Sequence, residues 1–156
     1  MLKVSQLPDE ATLTIALEIE SRLDQVRLIR AAMSGALNHL GVVEADVLAL
    51  ELAVTEIVNN AVEHGYAGAD DQPIKVRIQL FGSTVQIEVI DHARPFPEEE
   101  RHRLMGEAGQ LDEADEEWSP RGHGLQIVRQ IVDSIALESN ETRNILRIRK
   151  KVAMTS

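Results

Sequence analysis

The chain has 156 residues, of which 44% are hydrophobic and 27% charged, which suits one folded domain and excludes a compositionally disordered chain. Its 26 acidic and 16 basic residues leave a net charge of −10, which disfavours broad binding to nucleic acid or anionic lipid but permits a small local anion site. Cysteine is absent, which removes disulfides, thiolate metal sites and cysteine nucleophiles. The first eight residues, Met1 to Pro8, lack the apolar core of a secretory signal, and no apolar run approaches the roughly 20 residues of a membrane span. A soluble cytoplasmic protein with an aliphatic core is the expectation.

Residues 11–19 alternate, with Leu13, Ile15, Leu17 and Ile19 apolar, which predicts a strand with one buried face. Ser21 and Asp24 form a weak capping box before a helix whose stripe is Leu23, Val26, Ile29, Met33, Leu37 and Leu40, ended by Gly41. A second helix is expected from about Glu44 to His64, with Gly65 as its stop. Two alternating segments follow, Ile74 to Leu80 and Val85 to Val89, joined by a tight turn at Gly82-Ser83. From Asp91 to about Pro120 the pattern is irregular and very acidic. A helix resumes near Gly124 with Leu125, Val128, Ile131 and Val132, and two strands close the chain at 134–139 and 143–152. This order predicts an α+β sandwich in which one mixed or antiparallel sheet is covered on one face by helices. The long irregular stretch reads as a lid over about 92–121.

Three places could carry chemistry. Glu56 and Asn60 lie one turn apart on one face of the second helix, a carboxylate and an amide oxygen suited to a hydroxyl proton or a hard cation. The same spacing also suits a solvated Glu beside an Asn at a helix end. Asp91, in Asp91-His92-Ala93, follows an apolar strand, where a plain turn is the alternative. Arg121-Gly122-His123-Gly124-Leu125 opens a helix, and free N–H groups there attract phosphate, although glycines also serve simple turns. Neither a dinucleotide-binding fingerprint nor a P-loop is present. His64 either faces the same site or complements its helix dipole. His123 stands between the glycines, while His39 and His102 read as exposed. Trp118, the sole tryptophan, reads as a partner contact or an anchor at the lid's end.

In order and spacing these segments resemble the N box and two glycine boxes of the gyrase/Hsp90/histidine-kinase/MutL ATPase superfamily. Within it the chain is most similar to bacterial anti-sigma-factor serine/threonine kinases. The resemblance rests on Glu56-x-x-x-Asn60-Ala61-x-x-His64-Gly65-Tyr66 and on Gly122-x-Gly124-Leu125-x-Ile127-Val128-x-x-x-Val132-Asp133, and covers about residues 11–152. It implies a Bergerat-type fold in a single domain spanning 1–156, with ATP and Mg²⁺ as ligands. It implies that Glu56 is the general base, Asn60 the Mg²⁺ ligand and Asp91 the acceptor for the adenine amino group. By the same resemblance Gly122 and Gly124 cradle phosphate, with His123 and Leu125 in the same box. Arg121 lies beside a position where related kinases carry a basic residue. Asn144 matches the region of an adenine-binding Thr or Ser, and Arg30 a partner-holding basic residue. The implied partners are an anti-anti-sigma protein of the sulfate-transporter-and-anti-sigma (STAS) type, a sigma factor and a second copy of the chain, with no direct nucleic acid and no membrane. One departure stands out: the first glycine box usually reads Asp-x-Gly, and here Ala93 replaces the glycine. Its methyl is expected to restrict the backbone and crowd the base site. That departure supports an alternative, a non-catalytic binding module of the same fold. A histidine-kinase catalytic domain is a weaker third reading, because no dimerisation helix with a phosphoacceptor histidine is apparent.

The charge is localised. Residues 97–117 hold nine acidic residues against Arg101 and Arg103, a net of −7, so the remaining chain carries −3 of the total −10. An anion site at the glycines is therefore compatible with the acidic composition.

Overall fold

A computed structural model of the chain describes residues 10–105 and 123–156. Alternation drives the sheet: β1 (Leu13–Glu20), β2 (Pro73–Phe81), β3 (Thr84–Asp91), β4 (Ser134–Ser139) and β5 (Asn144–Lys151) form one sheet in the order β1-β2-β3-β5-β4. Every pairing is antiparallel, so of the two sheet types expected the antiparallel one is found. Register aligns the apolar positions into rows across the strands. One row is Ile15, Ile78, Ile87, Ile148 and Ile135, and the next is Leu17, Val76, Val89, Leu146 and Leu137. This face meets the helices and forms the core with Ile29, Met33, Leu37, Leu50, Val54 and Val128, all at most 1% exposed. The core is aliphatic, as the composition requires, and its burial supplies most of the folding free energy.

The opposite face of the sheet is polar and largely paired, although Arg147 Nε is buried without a partner among the described residues. Arg149 donates to Gln86 (2.7 Å), and Arg147 donates to the nearly buried Glu88 (2.9 Å), whose other oxygen lies 4.0 Å from Arg77. Arg147 and Arg149 of β5 are thus neighbours of the buried polar groups Glu88 and Gln86.

Three helices cover the apolar face: α1 (Val26–His39), α2 (Glu44–Asn60) and α4 (His123–Ile131). Helix α2 packs between the other two and against the sheet. Gly41 takes φ +88° in the α1–α2 connection, a region open to glycine, and the C-terminal residues return to this connection through Thr155 N–H to Gly41 C=O (2.6 Å). Among the described residues no helix is long and apolar enough to cross a membrane.

Three local expectations are corrected. The predicted capping box is not formed, because Ser21 Oγ donates to the Ala69 carbonyl and accepts from Gln72 N–H (3.1 Å), while Asp24 pairs with Arg22 (2.9 Å). A 3-10 turn, Leu23–Gln25, precedes α1, and Leu23 is half exposed. The stretch read as irregular contains α3 (Glu98–Met105), which buries only Leu104 and so lacks an apolar stripe that would betray it in sequence. Helix α2 ends at Asn60, four residues before its predicted end, and passes into a π-helical turn over Ala61–Gly65. Such turns concentrate at functional sites.

Ser21 is 1% exposed and joins the end of β1 to the loop before β2. Ser21→Ala strands the two backbone groups it serves and is expected to cost about 1–3 kcal/mol. Urea denaturation should show a lower midpoint at unchanged slope; an unchanged midpoint would show that the staple contributes nothing.

Candidate functional site

The apolar rows of the sheet end in a polar one. Beyond Ile19 and Ile74, the next residues in register on β3, β5 and β4 are Asp91, Asn144 and Ser139. Asp91 is 4% exposed and Asn144 is 2% exposed. Asp91 Oδ1 accepts from Asn144 Nδ2 (2.8 Å) and from Ala93 N–H (3.0 Å). Asn144 Nδ2 also donates to the Arg94 carbonyl (3.0 Å), and Asn144 Oδ1 accepts from Ser139 Oγ (2.6 Å). Burial pushes the Asp91 carboxyl above the ordinary aspartate range; the hydrogen bonds from Asn144 and Ala93 and the neighbouring His92 pull the other way.

An open cleft lies against this row. Its walls come from the end of α2 and its π turn (Asn60, His64, Gly65), from the sheet (Asp91, Asn144), and from the loop beginning at Arg94 and Pro95. Tyr66 braces the floor: its hydroxyl donates to the Pro73 carbonyl (2.7 Å) and accepts from His92 N–H (2.7 Å). Burial pushes this phenol up, and the charge of Asp91 adds to that, against the hydrogen bond from His92.

Ala93 does not crowd the cavity. Its backbone is not in the positive-φ region, and its buried methyl faces Gly65, where a Cβ would stand 2.9 Å from it. The space the family glycine would leave is thus taken from residue 65, not from the ligand side. A second close approach joins α2 to α4. A Cβ on Gly124 would overlap the Glu56 carboxylate, so that carboxylate lies directly over the first turn of α4. Glu56 does not line the cavity itself; it sits one turn before Asn60, which does.

The other predicted positions divide plainly. His64 faces the cavity with Asn60. Leu125 is 5% exposed and belongs to the core, and it does not line the cavity. Arg30 is exposed on α1, away from the cavity-lining set, and His39 and His102 are exposed as expected. Arg121, Gly122 and Trp118 lie outside the described residues, as does the side chain of His123. Sequence reading missed Ser139 and the bracing role of Tyr66. Counting register back from Asn144 across the β4–β5 hairpin would have found Ser139.

The site geometry can be set beside known families. The profile described as a histidine kinase-like ATPase domain covers residues 19–150. The chain belongs to that family. Among curated proteins, this ATPase domain is 27% identical over 128 residues to the serine-protein kinase RsbW of Bacillus pumilus, which covers 81% of this chain and 78% of the relative. It is also 27% identical over 127 residues to RsbW of Listeria monocytogenes, covering 81% and 80% of the two chains. Among solved structures, the RsbU and RsbW domains of a Mycobacterium tuberculosis protein superpose with a TM-score of 0.65 at 20% identity, covering 93% of this chain and 34% of that one. The SiaB–SiaC complex of Pseudomonas aeruginosa gives a chain with a TM-score of 0.64 at 13% identity, covering 89% of each. These structures establish the fold. The resemblance drawn from the three motifs is borne out at the level of family and architecture.

Two predictions follow from this geometry. Gly65→Ala places two methyls in one space and is expected to destabilise the ATPase domain by about 1–3 kcal/mol. Adding Ala93→Gly should restore most of that loss in thermal unfolding, and additive losses would disprove the contact. Asp91→Asn keeps an oxygen for both donors but removes a charge whose folded-state pKa is raised. A raised carboxyl binds protons more tightly when folded, so its stabilising contribution is lost as pH climbs from the ordinary value of about 3.9 through the raised one. The variant should therefore match or exceed the parent's stability at neutral pH, with the difference closing as pH falls into the ordinary aspartate range. A variant less stable at neutral pH than in acid, relative to the parent, would contradict this.

Proposed function

We propose that the chain is an ATP-dependent serine/threonine protein kinase that acts as an anti-sigma factor in a partner-switching module. Its substrate is a serine or threonine of a STAS-type anti-anti-sigma protein. The observation that carries this reading is the seating of Glu56 over Gly124, with Asn60 one turn further on in the wall of the cavity that Asp91 closes. The RsbW kinases among the relatives support the same activity.

The residues fit the ligands. Asp91 offers its second oxygen, Oδ2, which has no hydrogen-bond partner among the described residues, to an exocyclic amino group. The start of α4, with Gly124, presents backbone N–H groups suited to polyphosphate. No cluster of three or more metal-binding side chains occurs among the described residues. That suits Mg²⁺, which takes few protein ligands and is held largely by phosphates, with Asn60 supplying an amide oxygen. When bound, the metal neutralises charge on the transferred phosphoryl.

Glu56 then does the chain's own chemistry. Its carboxylate accepts the proton of the incoming hydroxyl as that oxygen bonds to the terminal phosphorus and the bond to the leaving diphosphate breaks. The 92–121 segment acts as a lid over the nucleotide, with α3 as its first element. Arg30 serves as a partner contact, the working unit is a homodimer in the cytoplasm, and unphosphorylated antagonist displaces the sigma factor.

Labelled ATP incubated with the protein and a genomic-neighbour STAS protein provides the test. Label should pass to the STAS protein, and Glu56→Gln should slow this by about 10²- to 10⁴-fold while ATP still binds. ATP binding without any transfer would instead establish a non-catalytic module, and equal transfer by both proteins would overturn the role of Glu56 as general base.

A further inference from the structure

Ser139 occupies the outer end of the polar row, and its hydroxyl makes two connections. It accepts from Phe96 N–H (2.9 Å) and donates to Asn144 Oδ1 (2.6 Å). The first reaches the loop that walls the cavity, and the second reaches the side chain that holds Asp91. Asn144 is thereby set from both sides. In the opposite amide orientation its oxygen would face Asp91 Oδ1 and the Arg94 carbonyl, three acceptors without a proton between them. With Ser139 donating to Oδ1, both hydrogens of Nδ2 point at Asp91 and the loop carbonyls.

Asp91 inherits the constraint. Two donors occupy Oδ1, which fixes the plane of the carboxylate and leaves Oδ2 as a single acceptor. We propose that Ser139 is a positioning residue that makes Asp91 a reader of one exocyclic amino group and couples this reader to the Arg94–Pro97 wall. The ligand class is a purine nucleotide with an amino group on the six-membered ring. A carbonyl at that place would set oxygen against carboxylate oxygen. The reader role rests on the nucleotide reading above; the coupling to Phe96 does not.

The hairpin around Ser139 is rigid enough for this work. Asn140 Oδ1 accepts from Thr142 N–H (2.9 Å) and Arg143 N–H (3.0 Å), which closes the β4–β5 turn. The Thr142 carbonyl lies 3.1 Å from His92 Nδ1, which ties the turn to the residue after Asp91. Ser139 is therefore held at a fixed distance from both groups it serves.

The test compares wild type, Ser139→Ala and Ser139→Thr by calorimetry with ATP and with purine riboside triphosphate, which lacks the amino group. Wild type should prefer ATP, and Ser139→Ala should reduce that preference by roughly 10-fold. Ser139→Thr, which keeps the hydroxyl, should restore it. Hydrogen exchange without ligand should accelerate at the Phe96 amide in Ser139→Ala. An equal loss of affinity for both nucleotides would mark Ser139 as merely structural and overturn the reader role. Unchanged Phe96 exchange would overturn the coupling. Wild-type protein that binds neither nucleotide would overturn the kinase reading and the reader role together, with the exchange result still deciding the coupling.

Discussion

The structure is organised around a carboxylate that must be buried and must not be alone. Leaving the Asp91 acceptor unpaired at 4% exposure would cost several kcal/mol, so the chain brings donors to it. That requirement explains where elements stop. Strand β3 ends at Asp91 because the chain turns there to aim Ala93 N–H back at the carboxylate. Strand β5 begins at Asn144 because its amide must lie opposite, and the loop from Arg94 to Phe96 folds against the same pair. The carboxyl's upward shift is the residual cost of burial after those bonds are made.

The second organising contact is between α2 and α4. Glycine at 124 lets the helices approach until the Glu56 carboxylate covers the start of α4. A charged group is thus held near backbone donors without a salt bridge of its own among the described residues.

Much of this was readable before any coordinates. Period-2 alternation located β1, β2 and β3, the closing strands were expected at 134–139 and 143–152, the first at the bounds of β4, and helical spacing located α1 and α4, with α2 expected between about 44 and 64. Glu56, Asn60 and Asp91 stood out through the family resemblance, since on spacing alone a solvated helix end and a plain turn serve equally well. What escaped did so for physical causes. Helix α3 buries one side chain, so it leaves no period to detect. The π turn is a hydrogen-bonding choice, Tyr66 N–H to Ala61 C=O (2.8 Å), that no residue type announces. Ser21 looked like a helix cap because capping is local, but a loop 48 residues away outcompeted the helix for its hydroxyl. Ser139 looked like any strand-end serine, since its partners come from register and not from neighbours in sequence.

The Gly65–Ala93 contact bears on how such a site can change over evolutionary time. The two positions share room for one methyl group. A methyl at one position therefore weighs against a methyl at the other, because the two would stand 2.9 Å apart. The glycine that ends the π turn and the residue two after the aspartate therefore act as one steric unit. The alanine at 93 thus sets a condition on residue 65 and takes no room from the cavity.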